Sequence, residues 1–224
     1  MSTVLAFDCA VSGQGVAIVR DGVSLVTLVE EGREQAARLL PAIAAALDQA
    51  GVARRELELI AVTTGPGSFT GVRVGLSAAR GLAVGLGIPL AGISTTTVLR
   101  AQAPATDRLV VAAVDTKLGD WFCAIGEEAA PFAATAGDVA ARLAGRACLI
   151  VGKDVDPLVQ SLLAGGLDAV AHDGPPDPAV LGRLAESVGV ASWRDRNSDE
   201  GLPRPLYLRG VNITLPDGAR RTVE

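Results

Sequence analysis

Residues 3–31 read TVLAFDCAVSGQGVAIVRDGVSLVTLVEE, and this stretch indicates the fold of the chain. Its first apolar run ends at Asp8, and a glycine-containing turn leads into the second run, GVAIV. Asp21-Gly22 is a strong hairpin signal ahead of the third run, VSLVTLV. The stretch therefore predicts three strands joined by short turns, with a carboxylate where the first strand ends.

The second half of the chain repeats this pattern. LVVAAVD is an apolar run that ends at Asp115, and DWFCAI follows as its hairpin mate. Such a repeat is typical of an internal duplication that builds two similar lobes. We therefore predict an α/β protein with mixed sheets flanked by helices. Its parts are a first lobe at 1–104, a smaller second lobe at 105–190 and a C-terminal segment at 191–224 that packs back on the lobes.

Helices are predicted between these strands. The apolar face of the first helix, at 34–50, comprises Ala36, Leu39, Leu40, Ile43 and Leu47. Gly51 stops this helix, and Pro41 indicates either a kink or a late start. Further helices are predicted at 72–86, 154–164 and 178–189.

Composition and charge limit the function classes. The 224 residues carry a formal net charge of −5, which argues against a chain that grips a nucleic-acid backbone unaided. Three cysteines without a CxxC spacing favour buried thiols in a reducing cytosol. The uncharged stretch between Arg80 and Arg100 is broken by Pro89 and several glycines, which argues against a membrane span. We expect a soluble, cytoplasmic protein with no membrane contact.

Residues 63–75, TTGPGSFTGVRVG, form a glycine-rich loop between a strand and a helix. A phosphate-binding P-loop needs Lys and then Ser or Thr after its last glycine, and Val72-Arg73 stand there instead. A dinucleotide fingerprint needs a third glycine and an acid about 20 residues on, but no Asp or Glu lies between Glu58 and Asp107. The structural loop predicted instead consists of Gly65, Pro66, Gly67, Ser68, Phe69, Thr70 and Gly71.

The sequence gives little support to catalytic or metal chemistry. A hydrolase would have to combine Ser68 with His172, the one histidine of the sequence, and a lone histidine is more often a packing or surface residue. Paired histidines that could bind a metal are absent from the sequence, and the cysteines are scattered. We predict neither a catalytic residue nor a metal site.

Small residues line the helix at 72–86. They recur every four positions, as Gly71, Gly75 and Ala79 on one face and Ser77, Gly81 and Gly85 on a neighbouring face. Each interior glycine costs about 1 kcal/mol of helix propensity relative to alanine, so the close approach of another backbone must offset it. Two interpretations stand: tight packing on the protein's own sheet, or a contact with a partner chain in which Arg73 and Arg80 supply polar anchors.

Asp8 and Asp115 also have two interpretations. In the actin, sugar-kinase and Hsp70-like ATPase architecture, an aspartate at the end of each lobe's first strand faces a cleft that holds Mg-nucleotide. Ser12 and Gly13, in the turn after Asp8, would then contact phosphate. Equally, each aspartate could only cap its own turn.

Several of these segments together resemble the TsaB (YeaZ) family, bacterial factors for threonylcarbamoyladenosine synthesis in tRNA that also carry glycoprotease-like names. The resemblance rests on GPGSFTGVRVG, IPLAGISTTTVL, VDTKLGDWFCAI and RPLYLRG. It implies a two-lobed fold of the actin/Hsp70-like ATPase (ASKHA) class. It also implies an accessory subunit that lacks activity and cofactors of its own, with ATP and Mg as possible ligands at the level of a complex.

The resemblance further implies a set of partners. TsaB pairs with TsaD, which transfers the threonylcarbamoyl group to the adenosine beside the anticodon, and the ATPase TsaE joins them. Such a chain forms a homodimer when alone and contacts tRNA only through the complex. The family's pairing surface consists of the first-lobe helices, which here are 34–50 and 72–86. The residues expected at this surface are Leu39, Leu40, Ile43, Arg73, Gly75, Leu76, Ala79 and Arg80.

The chain departs from the family at the candidate nucleotide cleft. The usual Asp-Thr is Asp8-Cys9 here, and the usual Asp-Ala-Arg is Asp115-Thr116-Lys117. Both departures weaken the case for nucleotide binding by this chain. An actin-fold ATPase or kinase that uses the two aspartates is therefore the alternative hypothesis.

Overall fold

The computed structural model describes residues 2–32, 34–127, 130–209, 211–214 and 220–223. Within these ranges, no helix is both long enough and apolar enough to cross a membrane. The three cysteines are buried free thiols, as the sequence predicts. In the predicted C-terminal segment, residues 210, 215–219 and 224 lie outside the described residues.

The first half of the chain forms three antiparallel strands and then alternates helices with strands. Its elements are β1 (Thr3–Asp8), β2 (Gln14–Arg20), β3 (Val23–Glu30), α1 (Gln35–Ala50), a 3₁₀ turn (Arg54–Glu56), β4 (Leu59–Thr63), α2 (Phe69–Leu86), β5 (Leu90–Ile93) and α3 (Thr95–Ala101). The three strands expected within residues 3–31 are confirmed. Asp21 and Gly22 form the predicted hairpin turn, with φ of 50° and 77° that match the twist of the flanking strands.

The ends of the first two helices follow from local chemistry. α1 begins at Gln35 and continues through Pro41, so the late start is wrong, and Gly51 in the left-handed conformation ends it as predicted. The Ser68 side chain caps α2 by accepting a hydrogen bond from the Gly71 amide at 3.2 Å. α2 therefore starts at the next residue, three positions ahead of the prediction.

The second half repeats the hairpin and then the alternation. Its elements are β6 (Leu109–Asp115), β7 (Trp121–Ile125), β8 (Phe132–Ala134), α4 (Ala136–Leu143), β9 (Cys148–Gly152), α5 (Asp156–Ala164), β10 (Ala169–Asp173), α6 (Pro178–Val188), α7 (Val190–Glu200), β11 (Val211–Thr214) and β12 (Arg220–Val223). The sequence predicts neither β8, which has three residues, nor α4, which has eight. It also misses α7, because Trp193 is the one buried side chain of that polar helix and no apolar periodicity marks it.

Two five-stranded sheets form the framework, in the orders β3-β2-β1-β4-β5 and β10-β9-β6-β7-β8. In the first sheet, β1 pairs antiparallel with β2 and parallel with β4. In the second sheet, β6 pairs antiparallel with β7 and parallel with β9. The two sheets share one topology, which agrees with the repeat seen in the sequence.

The first sheet is buried on both faces. α1 and α2 cover one face, where Leu39 and Leu76 pack with Phe7 of β1. α6 covers the other face, and Gly182 permits its approach because a Cβ there would lie 2.6 Å from Cγ2 of Val19. By its packing, α6 thus belongs with the first sheet, although the predicted division assigns it to the second lobe.

Candidate partner-binding surface and inter-lobe cleft

The glycine-rich loop after β4 docks the start of α2 onto the turn that follows β1. The amide of Ser68 donates to the carbonyl of Ala10 at 2.8 Å. A Cβ at Gly67 would overlap the carbonyl oxygen of Ala10, and one at Gly71 would overlap that of Cys9. Glycine is needed at both positions because the two backbones touch. The amides of Ser68 and Gly71 already have partners within the chain, so neither is free to hold a phosphate.

Asp8 lies at the end of β1 and is 2% exposed. Its carboxylate accepts hydrogen bonds from the amides of Ala10 at 3.1 Å and Val11 at 3.4 Å, and from the hydroxyl of Thr63. Burial raises the pKa of Asp8 to about 6, against the lowering effect of these hydrogen bonds. The side chain therefore caps the turn after β1, and the loop and the start of α2 dock on that turn.

Asp115 occupies the matching position at the end of β6. Its carboxylate accepts a hydrogen bond from the amide of Lys117 at 2.6 Å and pairs with the ammonium of the same residue at 2.9 Å. Ser12 and Gly13 form a turn with φ of 44° and 93°. A Cβ at Gly13 would overlap the carbonyl oxygen of Glu30, so this glycine serves the packing of the turn on β3.

These cleft residues do not fit a Mg-nucleotide. The Asp8 carboxylate is buried and holds its proton more tightly than an ordinary carboxyl, and Asp115 is neutralised by Lys117. Lys153 at the end of β9 forms an ion pair with Glu31, beyond the end of β3, at 3.4 Å, so it joins the two halves of the molecule. Among the described residues, no three His, Cys, Asp or Glu side chains are grouped as metal ligands. The ATPase or kinase alternative is not favoured.

Ser68 and His172 do not form a catalytic pair in this structure. Ser68 caps α2, and its hydroxyl oxygen accepts from the Gly71 amide. His172 lies in β10, the edge strand of the second sheet. No hydrogen bond joins the two side chains in the part of the chain that the structure describes.

Five of the eight residues expected at the partner surface face the protein's own sheet. These buried residues are Leu39, Ile43, Gly75, Leu76 and Ala79. A Cβ at Gly75 would lie 3.5 Å from Cys9 and from Val62, which is ordinary packing distance. These five residues belong to the apolar stripes that hold α1 and α2 on the sheet, so the structure shows internal packing for them, and the expected pairing surface stays a prediction. Of the other three, Leu40 is 56% exposed, Arg73 is exposed and Arg80 is half-buried.

The neighbouring face of α2 is the one that points outwards. Gly81 and Gly85 are exposed, and a Cβ at either position would meet no atom within 4 Å. Val84 beside them is 73% exposed, and Ser77 lies one turn earlier on the same face. The spacing of these residues is visible in the sequence. The sequence does not show which of the two glycine faces is buried, because both faces consist of small residues.

Residues 202–209, which we call the C-terminal strap, cross the loop and the start of α2. The amide of Leu206 donates to the carbonyl of Thr64 at 2.8 Å, and the Arg80 guanidinium donates to the carbonyl of Pro203 at 3.1 Å. Arg80 is thus engaged within the chain. The RPLYLRG string marks this segment, but no local signal identifies a contact that spans 123 positions.

The strap also joins the two halves of the molecule. Nε of Arg73 donates to the Tyr207 hydroxyl at 2.8 Å, and the rings of Phe69 and Tyr207 stack with centroids 5.7 Å apart. Two residues further on, Arg209 pairs with Asp120 beside β7. Arg73 therefore anchors the strap in the isolated chain.

Comparison with known proteins agrees with this architecture. A family model described as TsaD, tRNA N6-adenosine threonylcarbamoyltransferase, matches residues 30–149. The chain is 34% identical over 123 residues to the tRNA threonylcarbamoyladenosine biosynthesis protein TsaB of Escherichia coli, covering 54% of this chain and 53% of that protein. A Pseudomonas aeruginosa structure, described as an uncharacterized protein with similarity to peptidase YEAZ, has a TM-score of 0.75 and 28% identity, covering 93% of this chain and 100% of that one. The chain belongs to the TsaB (YeaZ) family.

Membership in the TsaB family confirms the resemblance seen in the sequence, and the fold agrees with it. Component A of (R)-2-hydroxyglutaryl-CoA dehydratase from Acidaminococcus fermentans has a TM-score of 0.52 at 10% identity, a likeness that concerns the fold alone. The two mixed sheets flanked by helices are the expected actin-like ATPase architecture. The chain spans about half the length of the curated TsaB proteins it matches, at 53% of each of the first two.

Proposed function

We propose that this chain is a non-catalytic subunit of the machinery that makes threonylcarbamoyladenosine in tRNA, and that it acts by binding and activating TsaD. Its TsaB relatives are named for this biosynthesis, and the matching family model is named for the transferase. The sequence holds a single histidine, so it has no pair of histidines that could hold a catalytic metal. An accessory role fits these residues better than a transferase role.

The exposed glycine face of α2 is the observation that carries the proposal. Gly81 and Gly85 each cost about 1 kcal/mol of helix propensity relative to alanine. No atom of the described chain lies where a Cβ would be, so internal packing does not explain them. A partner helix that approaches the α2 backbone would explain both, since small residues allow close crossing of two helices.

The apolar residues around this face support a protein partner. Val84 is 73% exposed on α2, and Leu40 is 56% exposed on α1, which packs beside α2. Large exposed aliphatic side chains next to small residues suit the buried core of an interface better than contact with water. The pairing surface that we propose therefore consists of Leu40, Ser77, Gly81, Val84 and Gly85.

We propose that the homodimer and the TsaD complex form through the same surface. A homodimer of the isolated chain would use it, so homodimer and TsaD complex would compete for one face. TsaE would join the complex in the cytoplasm, and ATP and Mg would bind at the level of that complex.

Reconstitution tests the proposal. The chain is mixed with TsaD, TsaE, ATP, an activated threonylcarbamoyl donor and unmodified tRNA, and the modified nucleoside is measured by mass spectrometry. Omission of the chain, or Gly81→Leu, is expected to abolish both co-elution with TsaD and nucleoside formation. Gly137→Leu, which changes an exposed helical glycine of α4, is the matched control and is expected to leave both intact. Full modification without the chain would refute the role, and normal pairing of Gly81→Leu would refute the surface.

A further inference from the structure

Phe69, Arg73 and Tyr207 form an exposed aromatic–arginine cluster at the start of α2. The Arg73 guanidinium lies 3.7 Å from the Phe69 ring centroid and 5.8 Å from the Tyr207 ring centroid. The two rings stack at an interplanar angle of 29°, yet Phe69 stays 41% exposed and Tyr207 44% exposed. Apolar ring surface that could be buried thus remains open to solvent, held in a fixed orientation by a hydrogen bond and a cation–π contact.

The charge around this cluster is positive. Arg80 lies on α2 with Arg73, and Arg204 and Arg209 lie on the strap. Among the described residues, the carboxylate that pairs with one of these four arginines is Asp120, the partner of Arg209, so α2 and the strap carry an excess of about three positive charges. No acidic residue lies in the sequence between Glu58 and Asp107, the stretch that contains the loop and α2.

We propose that this aromatic–arginine cluster binds unpaired RNA, with a base stacked on Phe69 or Tyr207 and neighbouring phosphates held by the arginines. Aromatic rings next to arginine are the combination that single-stranded nucleic acids favour, because a base can stack on any flat π-surface. The inference rests on the proposed function for the identity of the RNA, the unpaired loop of a tRNA. It departs from the expectation that tRNA contact is only indirect, since a net charge of −5 does not exclude a local basic surface.

The cluster borders the proposed TsaD surface, because Ser77 and Val84 lie four residues after Arg73 and Arg80 on α2. Gly81 and Gly85, where we propose that the partner backbone approaches, lie further round the helix from Phe69 and Arg73. The three positive charges favour an anionic ligand over an apolar partner helix. A second protein that docks on these rings is the competing occupant, and the experiment separates the two.

The test measures RNA binding by the full chain with fluorescence anisotropy. The probes are a labelled RNA hairpin with an unpaired loop and the same stem as a blunt duplex. The chain is expected to prefer the hairpin, with a slope of log affinity against log salt of about −2, from about three phosphate contacts. Phe69→Leu and Tyr207→Ala are each expected to weaken hairpin binding about tenfold, because each removes a stacking platform. Tyr207→Phe, which keeps the ring but loses the hydroxyl, is expected to bind more tightly than Tyr207→Ala. Arg54→Ala, at the opposite end of β4, is expected to bind as wild type.

The outcomes separate this inference from the proposed function. Equal binding of hairpin and duplex, or equal binding by wild type and Phe69→Leu, would overturn it. So would loss of TsaD co-elution in Phe69→Leu with RNA affinity unchanged, since the cluster would then be a protein-docking surface. Gly81→Leu is expected to lose TsaD and keep the RNA hairpin, and the reverse pattern in Phe69→Leu would support two separate surfaces. Failure of the chain to pair with TsaD would concern the proposed function alone.

Discussion

Gly71 and Gly75 stand one turn apart on α2 but have different surroundings. A Cβ on Gly71 would overlap the carbonyl oxygen of Cys9, whereas a Cβ on Gly75 would find its nearest neighbours at 3.5 Å. Gly71→Ala is therefore expected to lower the free energy of unfolding by about 1–3 kcal/mol through overpacking. Gly75→Ala is expected to leave it unchanged or raise it by up to about 1 kcal/mol through helix propensity. Urea unfolding of the two variants measures the difference, and equal effects would contradict the close contact at Gly71.

The single carboxyl group of Asp8 is expected to make the free energy of unfolding depend on pH. Burial raises its pKa from 3.8 to about 6, so the folded chain binds this proton more tightly than the unfolded chain. The free energy of unfolding should then fall as pH rises from about 4 to about 6, by about 3 kcal/mol from this group, and level off above that. Asp8→Asn should remove this part of the pH dependence. Urea unfolding at pH 4.5 and pH 6.5 checks it, and identical slopes for wild type and variant would contradict the assignment.

Among the helices, α2 allows a test of whether its outer face is exposed in the isolated chain. Gly81→Ala adds a methyl group that meets no atom within 4 Å. We expect it to raise the free energy of unfolding by about 1 kcal/mol, since the gain in helix propensity has no packing cost. Gly137→Ala in α4 is the control for an exposed helical glycine elsewhere. A destabilised Gly81→Ala variant would mean that this face is covered within the chain.

Elements marked by apolar periodicity or by turn and helix-stop residues could be predicted from the sequence. Features that depend on packing between elements could not. The strands ending at Asp8 and Asp115, the Asp21-Gly22 turn and the stop at Gly51 all depend on local chemistry. The burial of Gly75 depends on which side of α2 the sheet occupies. Periodicity locates a face of small residues but does not say what lies against it.

In the whole molecule, contacts between residues far apart in the chain are the features that the sequence predicts least. α6 follows the second sheet in the chain yet packs on the first, and the strap links α2 to β7. Such contacts depend on the complete fold, because no residue near Tyr207 in the sequence specifies Arg73 as its partner. The division at residues 104 and 190 stays a prediction for the same reason.

The strap gives a prediction at this scale. A Cβ at Gly92 would overlap Pro203, so Gly92→Ala should push the strap away from β5. The amide of Leu206, which donates to Thr64, should then exchange faster with deuterium, while amides in β1 keep their protection. Hydrogen–deuterium exchange with mass spectrometry measures both. Unchanged exchange over residues 202–209 would contradict the packing of the strap on the first sheet.

The dissociation constant of the complex with TsaD measures whether the exposed face of α2 is the pairing surface. Titration calorimetry would compare wild type, Gly81→Leu and Gly137→Leu, each first shown to unfold at a similar urea concentration. We expect Gly81→Leu to weaken binding at least about 30-fold, or about 2 kcal/mol, because the new side chain blocks close approach of the partner backbone. Gly137→Leu is expected to keep the wild-type dissociation constant. Equal dissociation constants for Gly81→Leu and wild type would contradict the claim.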